Sequence, residues 1–157
     1  MNKSLIKGLV FIILCACSYE PILSNKKYDF QFVNIYFEGD DKINKIIRSD
    51  LGRKSNGSIK YDLQIETVKS KEILSSNEKG DPTVYQLKID TSYSLLKEKK
   101  NVLVNKISKQ IIYNNIDDKF ELSQYENNII NNVALNKSPE ILTTVNASSE
   151  WSLKVLS

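Results

Sequence analysis

The sequence predicts an α+β fold, a two-layer sandwich in which two helices cover one face of a four-stranded mixed sheet. Three observations lead to this prediction. The segment Val84–Leu96 alternates apolar and polar residues over an unusual length, as expected of a strand with one packed and one wet face. Two amphipathic helical patterns occur, one early and one late in the chain. The resulting order, β-α-β-β-β-α, suits helices that pack on one side of a sheet.

The first strand is predicted at Phe30–Gly39, where aromatic and β-branched residues end at a glycine. Both alternating sets of this strand contain apolar residues, which predicts that both faces are at least partly covered. A helix is predicted at 41–52, because Asp40 or Asp41 offers an N-cap and isoleucines follow at helical spacing. Paired aspartates can also form a metal or acid–base site, but their position at the start of a helix favours capping.

Three more strands follow. They are predicted at Tyr61–Val68, Val84–Leu96 and Asn101–Asn114, and the first two strands of the sheet, joined by a helix, are expected to lie parallel with a right-handed crossover. The segment Lys97–Asn101 predicts a short charged hairpin turn. The segment Lys69–Thr83 is long and polar and contains a Gly-Asp-Pro turn, so a functional or mobile loop is predicted there.

The last helix is predicted to begin at Asp118, with Glu121 three residues later at capping-box spacing. Apolar residues at helical spacing continue to Ala134. Pro139 is expected to end or kink this helix, because an interior proline removes a hydrogen bond and costs ~3 kcal/mol. The α+β domain is therefore placed at 29–135, and residues 136–157 are predicted to form an atypical C-terminal tail.

The N-terminal segment has the pattern of a bacterial lipoprotein signal peptide. Two lysines precede an apolar run that is too short to cross a membrane. The run ends in Leu14-Cys15-Ala16-Cys17, which matches a lipobox, because acylation needs a thiol and the cut before it needs a small residue. Residues 1–16 are therefore predicted to be a signal peptide, Cys17 to be lipidated, and residues 17–28 to form a lipid-anchored tether. An ordinary cleaved signal peptide and a buried apolar N-terminus are the alternatives.

Lipidation also predicts the compartment and the charge of the mature chain. Ser18 is not the aspartate that usually signals retention in an inner membrane, so the outer membrane, facing the periplasm, is predicted. Three acyl chains give a stable anchor. Removal of residues 1–16 removes two lysines, so the formal charge falls from +3 to +1, which is 20 basic minus 19 acidic residues. A near-neutral chain gives no electrostatic basis for nucleic-acid binding.

The composition disfavours an enzyme. The chain has no histidine, and its one predicted mature cysteine is acylated, so neither a Ser-His or Cys-His nucleophile nor a histidine metal site is available. Neither of the two glycine-rich nucleotide-binding motifs is present. Carboxylate pairs for glycoside hydrolysis stay open, because 19 acidic residues always offer pairs. We expect no catalysis, no cofactor and no metal.

The element order and the lipobox together resemble the LPS-assembly lipoprotein family LptE. In the most specific stretch, a strand that ends in tyrosine precedes an acid-capped helix with a Tyr-Glu pair, Tyr125-Glu126. The resemblance extends from Cys17 to Ala134, and Pro139 is its main departure. The segments that carry the resemblance are Leu14–Cys17, Tyr61–Val68, Tyr85–Leu96 and Ile111–Leu135.

The resemblance implies a non-enzymatic role. Members of this family sit as a plug inside the LptD β-barrel of the outer membrane, support its assembly and help to deliver lipopolysaccharide to the outer leaflet. Lysines in the two polar loops would then be candidates for binding the lipid A phosphates, with a solvated surface role as the alternative for each. These candidates are Lys69, Lys71, Lys79, Lys97, Lys99 and Lys100.

A second function also fits the sequence. The chain can be an auxiliary outer-membrane lipoprotein of another lipid-transport system, or a periplasmic binding module. A binding module is expected to have a pocket, whereas a barrel plug is expected to have a broad polar surface without a deep pocket.

Overall fold

The computed structural model describes residues 28–155, and within this range it describes all side chains except those of 53–56 and 150–155. It has the predicted α+β architecture, with a four-stranded mixed sheet and two helices packed on one face. The predicted signal peptide, Cys17 and all of the tether before Tyr28 lie outside the described residues.

The elements follow one another with short connections. β1 pairs parallel with β2, as predicted, and β2, β3 and β4 form an antiparallel meander in the sheet order β1-β2-β3-β4. β1 and β4 are therefore the two edges of the sheet. The strands are β1 (Tyr28–Gly39), β2 (Ser55–Ser76), β3 (Pro82–Lys97) and β4 (Lys100–Asn114), and the helices are α1 (Asp41–Lys54) and α2 (Lys119–Val155).

Both helices begin at the predicted caps. The Asp40 carboxylate accepts the backbone N–H of Ile43 at 3.0 Å, so Asp40 is the N-cap of α1. The Asp118 carboxylate accepts the N–H groups of Phe120 and Glu121 at 2.7 and 3.0 Å, so Asp118 caps α2. The interpretation of the aspartates as caps is confirmed.

The inner face of the sheet, which the helices cover, holds the core. Every second residue of β3 from Tyr85 to Leu95 is buried, and the residues between them are only partly buried. Ile43, Ile47 and Leu51 of α1 are fully buried against this face. The prediction of one packed and one wet face for β3 is confirmed.

β1 differs from its prediction because it contains a β-bulge. Its register with β2 shifts between Phe32 and Asn34, so the side-chain alternation changes phase there. Val33 and Tyr36 are 57% and 55% exposed on the other face. The prediction that both faces of β1 are at least partly covered therefore holds fully only for the inner face, because these two side chains of the outer face are more than half exposed. The side chains of β1 that pack on the core, before and after the bulge, are Phe30, Phe32, Ile35 and Phe37.

β2 continues through most of the segment that was predicted to be a loop. It ends only at Ser76, and the link to β3 is 77–81, so the prediction of a long loop at Lys69–Thr83 is wrong. The part of β2 after Val68 extends past the end of β1 and pairs with β3 alone. Its side chains are mostly exposed and polar, so its strand conformation comes from the backbone ladder with β3.

α2 continues through Pro139 as one helix of 37 residues. The predicted end of the helix and the separate tail at 136–157 are therefore wrong for the described residues. The proline costs ~3 kcal/mol, whereas each large apolar side chain that becomes fully buried contributes about 1.5–3 kcal/mol. Burial beyond the proline outweighs its cost. The fully buried side chains there are Ile141, Leu142 and Val145.

The long helix matches the sheet in length. At 1.5 Å per residue α2 is about 55 Å long, and at 3.3 Å per residue the 16 residues of β3 span about 53 Å. We call the end of the domain with the β2–β3 turn the distal end. The opposite end, where β1 begins and the β3–β4 turn lies, is the proximal end. α2 begins at the distal end.

The corner between β1 and α1 gives a first prediction. Gly39 has a φ of +91°, and a Cβ added there would lie 1.8 Å from the Thr67 carbonyl oxygen. We expect Gly39→Ala to lower the free energy of unfolding by more than about 3 kcal/mol, measured by urea denaturation, because strain and a backbone clash add.

Gly80→Ala is the matched control. Gly80 has a similar φ of +85°, but a Cβ there would have no atom within 4 Å. The control should lose only about 1–2 kcal/mol from backbone strain. Equal losses in the two variants would contradict a tightly packed corner at Gly39.

Candidate interaction surfaces

The outer face of the sheet, opposite the helices, is polar across its central strands. The strand register places Glu66, Ser92 and Lys106 in one row across this face. In a neighbouring row the Ser94 hydroxyl donates to the Gln64 side chain at 3.2 Å. Such rows present hydrogen-bonding side chains to whatever lies against the sheet.

Asp90 is the centre of a charge network on this outer face. Its carboxylate lies 3.0 Å from the Lys106 ammonium and 3.4 Å from that of Lys88. The Ser108 hydroxyl donates to it at 2.6 Å. This hydroxyl, followed by the Lys106 ammonium, lowers the pKa of Asp90 to about 2. The carboxylate is therefore charged throughout the neutral range.

Isolated apolar side chains interrupt the polar outer face. Tyr36 and Val104 line an open depression of about 420 Å³ whose other walls are largely polar. A second open depression, of about 590 Å³, lies towards the proximal end beside Val33 and Lys60. The outer face thus combines many hydrogen-bonding groups with a few apolar contacts. Its exposed large apolar residues include Val33, Tyr36, Val68, Val104 and Ile112.

At the distal end, a cluster on the inner face ties the β2–β3 hairpin to α2. The Lys71 ammonium lies 2.5 Å from the Glu126 carboxylate and 3.9 Å from the centre of the Tyr85 ring. The Tyr113 hydroxyl donates to the same carboxylate oxygen at 2.7 Å. Burial, and then the Glu126 carboxylate, raise the pKa of Tyr113, so its hydroxyl keeps the proton that it donates.

Lys69 belongs to the corner between β1 and α1. Its ammonium lies 2.7 Å from the carboxylate of Asp40. Partial burial alone would raise the pKa of Asp40. The hydrogen bonds from the Lys69 side chain and from the Ile43 and Lys42 backbone outweigh this effect, so the pKa of Asp40 lies below its usual value.

The structure does not bring the six candidate lysines together. Two of them are engaged in the ion pairs described above, on the distal part of the inner face. Lys79 is exposed in the β2–β3 turn at the distal end. The other three lie at the β3–β4 turn, at the opposite end of a strand that spans about 53 Å. The ion-paired lysines are Lys69 and Lys71, and those at the β3–β4 turn are Lys97, Lys99 and Lys100.

Sequence reasoning missed the Asp90 network and the partners of Glu126. Alternation in β3 already placed Asp90 on the wet face, and Glu126 was noted only as part of a Tyr-Glu pair. Their partners Lys106, Ser108 and Tyr113 lie in β4, so the pairing depends on the register between strands. The sequence signal available for the Asp90 network was the alternation of polar and buried side chains in β4.

Two further properties concern the described residues only. Between residues 28 and 155, no three His, Cys, Asp or Glu side chains are grouped so that they hold a metal ion. Neither α1 nor α2 is both long enough and apolar enough to cross a membrane.

The Asp90 network predicts a specific dependence of stability on pH. A carboxyl group whose pKa is lowered by folding stabilises the protein above its unfolded pKa, and this contribution disappears as the pH falls through the folded pKa. The contribution of Asp90 should therefore be complete above about pH 4 and lost by about pH 2. We expect Asp90→Asn to remove up to about 1 kcal/mol at neutral pH and almost nothing at about pH 2.

Urea denaturation of the wild type and the variant at both pH values measures this difference. Asp117→Asn, which removes an exposed carboxylate from the link between β4 and α2, controls for the loss of one surface charge. An equal loss of stability for Asp90→Asn at both pH values would show that the carboxylate charge is not what stabilises this face.

Comparison with known proteins yields matches at the level of structure alone. No family model matches the sequence, and no curated protein matches it. The uncharacterised lipoprotein B of Nitrosomonas europaea has a TM-score of 0.64 at 17% identity, covering 82% of this chain and 90% of that one. The minor lipoprotein of Acinetobacter baumannii has a TM-score of 0.59 at 13% identity, and the match covers 79% of this chain and 96% of that one.

The rare lipoprotein B of Shewanella oneidensis is also similar. Its TM-score is 0.56 at 14% identity, and the match covers 77% of this chain and 98% of that one. Identities this low show a shared fold. The chain therefore has the fold of solved bacterial lipoproteins of the rare lipoprotein B and minor lipoprotein type.

Proposed function

We propose that this protein is a lipid-anchored outer-membrane lipoprotein that acts as plug and assembly partner of an LptD-like β-barrel and helps to deliver lipopolysaccharide to the outer leaflet. The observation that carries the proposal is the fold, which this chain shares with solved lipoproteins. In the sequence, this domain follows a segment that matches a lipobox at Leu14–Cys17. Acylation of Cys17 is the first step of this proposal.

The dimensions of the domain suit a barrel lumen. The domain is about 55 Å long, whereas a bilayer with its headgroups is about 40–45 Å thick. Four strands at about 4.8 Å spacing make a sheet under 20 Å wide. The largest outer-membrane barrels hold plugs of folded protein in their lumen.

The chemistry of the outer face fits the same partner. The interior of a transmembrane barrel is polar, and the rows of Glu66, Asp90 and their neighbours offer charged and hydrogen-bonding groups to such a wall. The depressions on this face are open to solvent. This surface favours the plug over a binding module that encloses a ligand.

The distal end is the place where we propose contact with lipopolysaccharide. An anchor at Cys17 would hold the proximal end at the inner leaflet, so the distal end would point to the outer leaflet. Lys79 is exposed at the distal turn and suits a phosphate contact. Lys69 and Lys71 would act indirectly, because their ion pairs position the hairpin that carries this turn.

Acylation is tested by metabolic labelling with an alkyne analogue of palmitate. We expect label on the wild type and none on Cys17→Ala, because Cys17 is the proposed acceptor thiol. Cys15→Ala is the matched control and should stay labelled, because Cys15 is proposed to leave with the signal peptide. Label that persists in Cys17→Ala would contradict the anchor.

The barrel partnership is tested by mild-detergent isolation of the tagged protein from outer membranes, with mass spectrometry of its partners. We expect a large β-barrel protein in roughly stoichiometric amount. The double variant Glu66→Lys/Glu72→Lys reverses two exposed charges on the outer face. It should lower barrel recovery at least tenfold, because wrongly placed charges in an interface cost several kcal/mol.

The control Asp117→Lys/Glu140→Lys makes the same charge change at two exposed sites off the sheet and should keep the barrel. If only monomer is recovered from the wild type, or if inner-membrane transporter subunits accompany it, the barrel partnership is wrong. The auxiliary lipoprotein function would then be preferred.

A further inference from the structure

The β3–β4 turn concentrates positive charge on a chain that is nearly neutral overall. Lys97, Lys99 and Lys100 stand within four consecutive residues and are all exposed, with Glu98 as the acidic residue among them. The predicted mature chain has a formal charge of only +1, which is 20 basic minus 19 acidic residues. A preference for an anionic surface would therefore come from this turn and not from the net charge.

The local structure of the turn is unfavourable in two ways. Glu98 and Lys99 both have a positive φ, of 51° and 64°, in a two-residue hairpin turn that normally uses glycine or asparagine. Among the described residues, the other positive-φ positions are the glycines Gly39 and Gly80.

The second unfavourable feature is a like-charge pair. Lys97 and Lys100 are directly opposite each other across the two strands, an arrangement that destabilises a sheet. Residues that conflict with their local conformation often serve a function. An anionic surface against the turn would attract both lysines and offset the repulsion between them.

The position of the turn identifies the anionic surface within reach. The turn lies towards the proximal end, where β1 begins at Tyr28. Cys17 precedes Tyr28 by 11 residues. Eleven residues reach at most about 36–40 Å when fully extended. Leu96 pairs with Asp62 and Tyr28 with Ser55, seven residues apart along β2, so the base of the turn is set back from Tyr28 by about 23 Å along the strands. This setback is shorter than the reach of those residues, so the turn lies within reach of the membrane that holds the anchor.

We infer that the β3–β4 turn, Lys97–Lys100, docks on the anionic phospholipid headgroups of the membrane that holds the anchor. This inference rests on the anchor at Cys17 in the proposed function, and it does not involve the barrel. Each lysine near an anionic surface favours the bound state roughly fivefold. This weak attraction suffices because the tether makes the encounter intramolecular and gives it a high effective concentration.

The test is lysine-reactive footprinting of the vesicle-bound mature chain, with mass spectrometry of each modified lysine. The single thiol of the mature chain, Cys17, is coupled to a maleimide phospholipid, so the experiment stays independent of acylation in cells. Vesicles of phosphatidylcholine are compared with vesicles that contain about one third phosphatidylglycerol. Lys45 and Lys119, exposed elsewhere, are the internal reference.

We expect the modification rate of Lys97, Lys99 and Lys100 to fall about fivefold in the anionic vesicles, while the reference lysines keep their rates. Salt that shortens the Debye length to about 3 Å should restore the rates. Glu98→Gln, which removes the acidic residue of the turn, should strengthen the protection. The matched control Glu140→Gln, an exposed acid on α2, should leave it unchanged.

Three results would overturn the inference. One is equal modification of the turn in both kinds of vesicle. Another is equal protection of the reference lysines, which would mean a non-specific charge effect. The last is protection by phosphatidylcholine vesicles that contain lipopolysaccharide but not by those that contain phosphatidylglycerol, which would assign the turn to lipopolysaccharide phosphates. A failed barrel isolation would leave all of these results unchanged.

Discussion

A buried polar joint at Thr67 holds β1, α1 and β2 together. Thr67 is 1% exposed, and its carbonyl and hydroxyl oxygens both accept the N–H of Asp40, at 3.1 and 3.0 Å. Its hydroxyl donates to the Asn44 side chain at 2.8 Å, and the Asn44 amide reaches the Glu38 carbonyl at 3.1 Å. Because these buried groups are all satisfied, the joint stabilises the corner. Gly39 lets the two backbones approach, and the parallel pairing of β1 with β2 depends on this contact.

This joint also determines which surfaces of the sheet stay exposed. With α1 fixed on the inner face and α2 packed beside it, the outer face receives no helix from the described chain. Of the two edges of the sheet, the one formed by β4 is protected. On β4, the buried Lys137 of α2 donates to the Ile107 carbonyl at 3.3 Å, and lysines recur along the strand, as is typical of a protected edge. Partner contacts are therefore left to the outer face, the β1 edge and the two ends of the domain.

The local patterns of the sequence sufficed for the order of the elements, for the caps at Asp40 and Asp118 and for the alternation of β3, because each signal lies within a few residues. The predictions that were wrong failed because tertiary contacts outweigh the local patterns. The distal half of β2 is a strand because β3 pairs with it, and α2 passes Pro139 because the side chains beyond it are buried. The partners of Asp90 and Glu126 depend on strand register, which no single segment encodes.

The direction of the helices explains why lysines at the two ends have different surroundings. Both helices begin towards the distal end, and the positive end of a helix dipole favours carboxylates in the first turn. Asp40 stands at the start of α1, where it meets Lys69, whereas Glu126 lies beyond the first turn of α2 and meets Lys71 without help from the dipole. Helix C-termini favour cations instead, so the dipoles supply no reason for acids to collect at the proximal end. The two ion pairs tie the distal hairpin to the helices, whereas the lysines of the β3–β4 turn stay exposed.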